Sequence, residues 1–339
     1  MPFVFEGGDV RGAVVDLGHT WREVLKRHAY PLHVRSLLGQ AMAAGALLSS
    51  TLKFDGTLVL QTRAENDQAP VRLLVVECNA DLAMRATAKL GDAFAQGSGA
   101  DALDAALDTQ SLADLVGDGK LVITLDPRED DKSAYQGVVP LAGAYLGAAL
   151  ENYMLRSEQL ETRIFLAADE NRAAGLLIQK MPGEGGQVQD APAKGGLATP
   201  QGKTPEAKKP QAKQTQAKRG AAVESRWPDA EALASTITSQ ELLMLEPREI
   251  LHRLFHEFDL RLFAERATTF QCSCSRERVA SVLRALGHEE VEGILAEQGT
   301  VTVNCEFCNQ AYAFDPIDAA QLFAAGAAAS SVPDKGIQH

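Results

Sequence analysis

The sequence predicts an α+β protein: a mixed α/β N-terminal core domain, a helical linker and a small C-terminal domain that carries most of the sulfur. Three observations lead there. Strand-like and helix-like stretches alternate over residues 1 to about 180, then a Lys/Pro/Gln-rich stretch interrupts the pattern. Beyond it, four of the five cysteines fall into one C-x-C, "CSC" at Cys272–Cys274, and one C-x-x-C, "CEFC" at Cys305–Cys308.

With 339 residues, 45% of them hydrophobic, the chain is long enough for two or three domains with separate cores. No stretch reaches the roughly 18 uninterrupted apolar residues of a membrane helix; "SLLGQAMAAGALLSS" is short and diluted by Ala and Gly. The N-terminus "MPFVFEGGDVRG" lacks a basic start followed by an apolar run, so no secretory signal is expected and the cytoplasm is the expected compartment. In that reducing environment, clustered cysteines indicate metal or redox chemistry rather than structural disulfides. A formal charge of −12 counts against nucleic acid as a partner, because phosphate contacts need Lys and Arg.

In the N-terminal part, "PLHVRSLLGQAMAAGALLSS" has helical periodicity. "TLKFDGTLVLQTR" reads as a hairpin turning at Asp55-Gly56. "VRLLVVECNA" and "KLVITLD" read as buried strands, and Cys78 within the first as an inert core thiol. "LAGAYLGAALENYMLRSEQL" is again helical and leads into a strand, "TRIFLAA". Ser157 and Glu158 have no Ser/His/Asp constellation around them in the sequence, and no Gly-rich phosphate loop is present, so no catalytic residue is assigned.

Residues 183–225 change character. The stretch 183–220 holds one Val, one Leu, no aromatic residue, and seven Lys/Arg against three Asp/Glu, a local +4 that leaves −16 on the rest. It cannot bury enough apolar surface to offset its chain entropy, and a disordered insertion is expected. After it, 227–263 places Leu242, Leu243, Leu245, Ile250, Leu251, Leu254, Phe255 and Phe258 at helical spacing, with Pro247 set to open a helix. This piece is too small for its own core and must pack on a neighbour. Its "HRLFH" puts His252 and His256 four apart on one helix face, but no third ligand is evident and surface histidines are expected.

In the C-terminal part, "SRERVASVLRALG" reads as a helix capped by Ser275 and stopped by Gly287. "EEVEGILAEQG" is a second helix ending at Gly299, and "TVTVN" and "QAYAFD" are strands flanking the Cys305–Cys308 knuckle. Two turn-like pairs around a helical insert can bring Cys272, Cys274, Cys305 and Cys308 together, and four thiolates suit tetrahedral Zn²⁺. The C-terminal part is thus a small zinc-binding domain. From 267 to 339, four Lys/Arg face nine Asp/Glu, which leaves no basic groove for nucleic acid. Zinc-held thiolates remain oxidisable, so the site can be a redox sensor or an inert rivet. Arg276 and Arg278 either offset the charge of the thiolates or are solvated helix charges.

The set "CSCSRER" and "CEFC", with thirty residues between Cys274 and Cys305, strongly resembles the 33 kDa chaperonin (heat shock protein 33) family of redox-regulated bacterial holdase chaperones. "TLKFDGTLVLQ", "YQGVVPLAGAYLGAALENYMLRSEQLETR" and the stretch 240–258 support it in order, so that the likeness spans about 10–180 and 226–320. The resemblance implies a non-enzymatic chaperone with one Zn²⁺ on Cys272, Cys274, Cys305 and Cys308 in a reduced, weakly active monomer. It further implies that oxidation forms Cys272–Cys274 and Cys305–Cys308 disulfides, releases zinc, unfolds the C-terminal domain and loosens the linker. The exposed apolar surface then binds unfolding client proteins without ATP, and the oxidised form dimerises. The rival reading is a zinc-stapled nucleic-acid or protein interaction module without redox switching. The expected domains are a client-binding core at 1–182, the insertion at 183–225, the linker at 226–265, the cysteine domain at 266–325 and a flexible tail at 326–339.

Overall fold

The apolar stretch that begins at Leu32 folds as one long helix, and the N-terminal domain is built around it. The computed structural model describes residues 1–51, 54–65, 68–92, 94, 112–117, 119–128, 133–141, 145–182 and 225–329. The elements of the first part are β1 (Pro2–Phe5), β2 (Val10–Asp16), α1 (Gly18–Leu25), α2 (Leu32–Thr51), β3 (Gly56–Arg63), β4 (Val71–Asn79) and β5 (Ala83–Leu90). They continue with α3 (Leu112–Val116), β6 (Lys120–Pro127), β7 (Tyr135–Pro140), α4 (Leu146–Ser157), β8 (Thr162–Ala168) and β9 (Ala173–Lys180). The linker supplies α5 (Trp227–Ala234), α6 (Ser239–Met244), α7 (Pro247–Phe255) and β10 (Leu260–Leu262), and β11 (Thr269–Phe270) lies just beyond it. The C-terminal domain follows as α8 (Arg276–Leu286), α9 (His288–Gln298), β12 (Val301–Asn304), β13 (Ala311–Phe314) and α10 (Pro316–Ala329).

Helix α2 is buried on nearly every side, as its Ala, Leu and Met content requires. It lies between two sheets, one ordered β10-β1-β2-β9-β8 and the other β11-β5-β4-β3-β6-β7. A Cβ on Gly39 of this helix would stand 2.5 Å from the Ala168 methyl, so glycine there permits the close approach to β8. In β3, β4 and β6, alternate residues such as Leu58, Leu60, Leu74, Val76 and Ile123 point at α2, while the opposite face of the six-stranded sheet is only half-buried. The strands expected as buried are therefore buried on one face. Cys78 is 1% exposed among them.

The expected hairpin at Asp55-Gly56 does not form. Helix α2 runs to Thr51 and Gly56 opens β3, so Asp55 lies in a helix-to-strand connection. Strand β3 pairs antiparallel with β4 and β6 instead. A Cβ on Gly56 would lie 2.2 Å from the Asp126 carbonyl oxygen, so this glycine serves close pairing with β6 rather than a turn.

The other sheet is covered on both faces, by α2 on one and by the linker on the other. Strand β9 is accordingly buried from Ala173 to Gln179. Trp227, Ala230, Leu242, Ile250, Leu251, Leu254 and Phe255 of α5–α7 join Phe3, Phe5, Val10, Val14, Leu176 and Ile178 in a second core. Thr238 and Glu241 form a capping box for α6, and Pro247 sits in the first turn of α7 as its position predicts. The neighbour that the linker needs is thus the N-terminal sheet, not the cysteine domain. Beyond the linker helices, β10 pairs with β1 and β11 lies parallel to β5, so the chain touches an edge of both sheets before reaching Cys272.

The expected insertion, 183–224 in particular, lies outside the described residues. Helix α10 runs to Ala329, into the stretch expected as a tail, and 330–339 also lie outside the described residues. No helix among the described residues is long and apolar enough to cross a membrane.

Candidate metal centre

Local sequence chemistry sets up both cysteine pairs. Strand β11 pairs with β5 and runs directly into Cys272, with the Gln271 amide donating to the Met84 carbonyl at 2.9 Å. Two residues past Cys272 comes Cys274, and then Ser275 caps α8 by accepting from the Arg278 amide at 3.3 Å. Gly287 (φ 106°) and Gly299 (φ 75°) end α8 and α9 in conformations that favour glycine. The chain returns as the β12–β13 hairpin, whose loop is the knuckle itself. The Cys305 amide donates to the Gln310 carbonyl at 2.9 Å, and the Asn309 amide donates to the Cys305 carbonyl at 2.8 Å.

These elements bring all four sulfurs within 4.8 Å of one another. The close approaches run across the pairs: Cys272 Sγ to Cys305 Sγ is 3.7 Å, and Cys274 Sγ to Cys308 Sγ is 3.3 Å. Four sulfurs at ~2.3 Å from a tetrahedral Zn²⁺ stand about 3.8 Å apart, so the donor set and its spacing fit that ion. All four thiols are free and half-buried. Among the described residues, no other group of three or more His, Cys, Asp or Glu is gathered this closely. His252 and His256 are exposed at the end of α7 with their rings stacked 6.0 Å apart, and neither belongs to a cluster of three or more potential ligands among the described residues.

The electrostatics of the cluster show why a cation suits it. Burial disfavours a Cys272 thiolate, but hydrogen bonds from the Cys274 amide and thiol, the Arg85 guanidinium and the Cys308 thiol outweigh it and draw its pKa down to about 7. Burial, then the adjoining sulfurs of Cys274, Cys272 and Cys305, push Cys308 up to about 12 against an opposing backbone hydrogen bond. Burial foremost also raises Cys305. Four adjacent thiols resist ionising together, because each thiolate repels the next until a cation is shared among them.

The guanidinium groups of Arg276 and Arg278 have hydrogen-bond partners other than the sulfurs. Arg276 pairs with Asp318 at 2.7 Å, donates to the Ala313 carbonyl and stacks on Phe314, while Arg278 donates to Ser273 Oγ at 2.7 Å. They tie the domain together. The side chains that do reach the sulfurs are Tyr312, whose hydroxyl donates to Cys274 Sγ at 3.1 Å, and Arg85 of β5, with Nη1 3.7 Å from Cys272 Sγ. Tyr312 sits two residues beyond "NQ" in the expected strand and was within reach of a periodicity argument. Arg85 was not, since it lies 187 residues from Cys272 in the chain.

The domain around the cluster has little core of its own. Among the described residues, Ala280, Leu283, Val291, Val301, Phe314 and Ala319 are its buried apolar side chains, with Val279, Ile294, Leu295, Val303, Tyr312, Leu322 and Phe323 partly buried around them. Below such a size, a metal or another crosslink ordinarily supplies the missing stability.

A family model described as "Hsp33 protein" matches residues 1–315. A 33 kDa chaperonin of Chromobacterium violaceum is 40% identical over 322 residues, 95% of this chain and 92% of the relative. One from Ectopseudomonas mendocina is 44% identical over 331 residues, 97% of this chain and 96% of the relative. The fold is also that of a crystal structure of a 33 kDa chaperonin from Thermotoga maritima, with a TM-score of 0.69 at 18% identity, covering 96% of this chain and 98% of that one. With the family model spanning nearly the whole chain and relatives this similar along their full length, the chain belongs to the Hsp33 protein family.

Proposed function

We propose that this protein is a redox-regulated holdase chaperone, inactive with zinc on Cys272, Cys274, Cys305 and Cys308 and activated when those cysteines are oxidised. The observation that carries this reading is the convergence of four thiols in a domain with a small core. The family, whose curated members are named chaperonins, supports the chaperone half of it. Bound zinc supplies a crosslink between the two cysteine pairs, worth ~10–16 kcal/mol of apparent binding energy in comparable sites. Four thiolate ligands fill a tetrahedral shell and leave no open position for a substrate, which favours a structural and sensing role over an enzymatic one.

In this reading a peroxide oxidises each pair. Two thiolates give up two electrons, the peroxide O–O bond breaks, an S–S bond forms within Cys272–Cys274 or Cys305–Cys308, and two protons from solvent complete two waters. A disulfide sulfur has no thiolate charge to offer a cation, so the ligand set is lost together with the crosslink. The small apolar core of the domain then has to hold its fold unaided.

The route from there to client binding runs through the chain, because α5–α7 pack on the N-terminal sheet. Loss of the cysteine domain frees β11 from β5 and then β10 from β1, and the linker frays from that end. Each large side chain of α7 that leaves the sheet exposes surface whose burial was worth ~1.5–3 kcal/mol. The working units are accordingly a core at 1–182, the linker at 226–265 and the cysteine switch at 266–325. The reduced form acts as a monomer and the oxidised form as a client-binding dimer in the bacterial cytoplasm. Aggregation of a heat-denatured client, followed by light scattering with reduced and peroxide-treated protein, tests the proposal; equal suppression by both forms overturns it.

A further inference from the structure

Arg85 and Glu77 face each other across β5 and β4 on the outward face of the six-stranded sheet. Glu77 takes two prongs of the guanidinium, Nε at 2.7 Å and Nη2 at 2.8 Å. The third prong, Nη1, points at Cys272 Sγ, and the guanidinium plane covers the ring of Phe307 with its carbon 4.1 Å from the ring centre. Phe307 lies inside the C-x-x-C, so one side chain of the core touches both cysteine pairs. Its side chain is only 16% exposed, which strengthens each of these contacts relative to a solvated arginine.

Ahead of Cys272 the chain is also tied to the core: Arg266 donates to the Ala80 carbonyl, Thr268 Oγ1 lies 2.8 Å from Thr20 Oγ1, and Phe270 packs against the core with the Arg27 guanidinium 3.9 Å from its ring centre. Strand β11 pairs with β5 over two residues, Thr269 with Ala83 and Phe270 with Met84, too short a pairing to persist alone. Lys89 and Glu306 form an exposed pair at 3.5 Å, of a kind that contributes little.

We infer that Arg85, held in place by Glu77, is a docking residue that makes attachment of the cysteine domain to the sheet depend on the state of Cys272 and of the Phe307 knuckle. This rests on the zinc-thiolate reading. Four thiolates around a dication carry two excess negative charges, and Arg85 is the cation that the core presents to them. Oxidation to Cys272–Cys274 removes the charge on the sulfur that Nη1 faces. Oxidation to Cys305–Cys308 reshapes the loop that carries Phe307. Both contacts weaken together while the Glu77 pair, wholly within the core, remains. Attachment is then lost as a consequence of thiol chemistry before the domain itself has to unfold.

Amide hydrogen exchange at Thr269 and Gln271, which donate to Leu82 and Met84 of the core, reads attachment in the reduced full-length protein. Arg85→Gln, compared with wild type at equal zinc occupancy, is expected to speed exchange at both amides roughly five- to thirty-fold, the effect of losing one cation–π and one charge-assisted contact. Phe307→Leu is expected to speed it less, and the double variant less than the product of the two singles, because both changes break the same contact. Arg85→Lys, which keeps the charge but not the fork, falls between. Exchange at Gln271 within two-fold of wild type in Arg85→Gln, or fully multiplicative single effects, overturns the inference. If Arg85→Gln also loosens the amides of β3, Phe307→Leu decides, since its side chain lies outside the core sheet: acceleration supports the latch and none overturns it. A wild-type protein without zinc would remove the metal reading instead, and this is measured separately on the same samples.

Discussion

Cys274 and Cys308 are 34 positions apart in the chain, and their sulfurs lie 3.3 Å from each other. Together with the 3.7 Å approach of Cys272 to Cys305, this makes the reduced site one that shares its contacts across the two pairs. A cation shared by all four sulfurs accounts for that arrangement. An S–S bond is about 2.05 Å long, so a disulfide within either pair draws two of the four sulfurs out of the spacing that suits a shared cation.

The metal requirement follows first. Reduced protein is expected to hold one Zn²⁺ per chain, and replacing Cys305 and Cys308 together by Ser is expected to abolish tight binding, because hydroxyls do not replace thiolates as zinc ligands. Metal analysis after dialysis against a chelator checks both. Full occupancy in the double variant would remove these residues from the ligand set.

The insertion is expected to be dispensable for folding. Its flanks meet at one residue: the Met181 amide donates to the Asp9 carbonyl at 2.8 Å and the Arg226 amide donates to the Asp9 carboxylate at 2.6 Å. A short connection can therefore replace 183–220. Zinc content and thermal unfolding of the deletion variant should match those of the full chain, and an insoluble or metal-free product would contradict this.

The linker docks through Phe255, which is 1% exposed and lies 5.2 Å, ring to ring, from Phe5. Phe255→Ala is expected to cost about 3–5 kcal/mol of the stability that holds α7 on the sheet. Denaturant titration reads the loss, and the reduced variant should suppress client aggregation without oxidant. A fully inactive reduced variant with the expected loss of stability would separate linker release from client binding.

Cys78 is expected to take no part in the switch. Burial foremost pushes its thiol up to about 11, so it stays protonated and unreactive below that pH while the domain is folded. Alkylation of native protein near neutral pH, mapped by mass spectrometry, should leave Cys78 unmodified, and Cys78→Ala should keep the response to peroxide.

Much of the switch domain was legible in the sequence because its instructions are local. Ser275, Gly287 and Gly299 cap or end helices through interactions with their own neighbours, and the spacing of the cysteines announces the site. The linker was legible too, since Pro247 and the Leu/Phe spacing fix α7 and its apolar face. What was not legible depends on distant partners. Asp55-Gly56 is equally good chemistry for a hairpin turn and for the connection from α2 to β3, and pairing with β6 decides between them. Which surface covers the linker was also open, because an apolar face does not name its partner. The contact of Arg85 with Cys272 joins two elements 187 positions apart, and no local pattern marks that arginine among the others.

The most direct measurement follows aggregation of a heat-denaturing client by light scattering while zinc release is read in the same cuvette with a chromogenic chelator. Reduced protein is expected to retain its zinc and to leave aggregation largely unchecked. Peroxide-treated protein is expected to release about one zinc per chain, to form the Cys272–Cys274 and Cys305–Cys308 disulfides and to suppress scattering without ATP. Equal suppression by both forms, with zinc lost only from the oxidised one, would contradict a redox-switched chaperone.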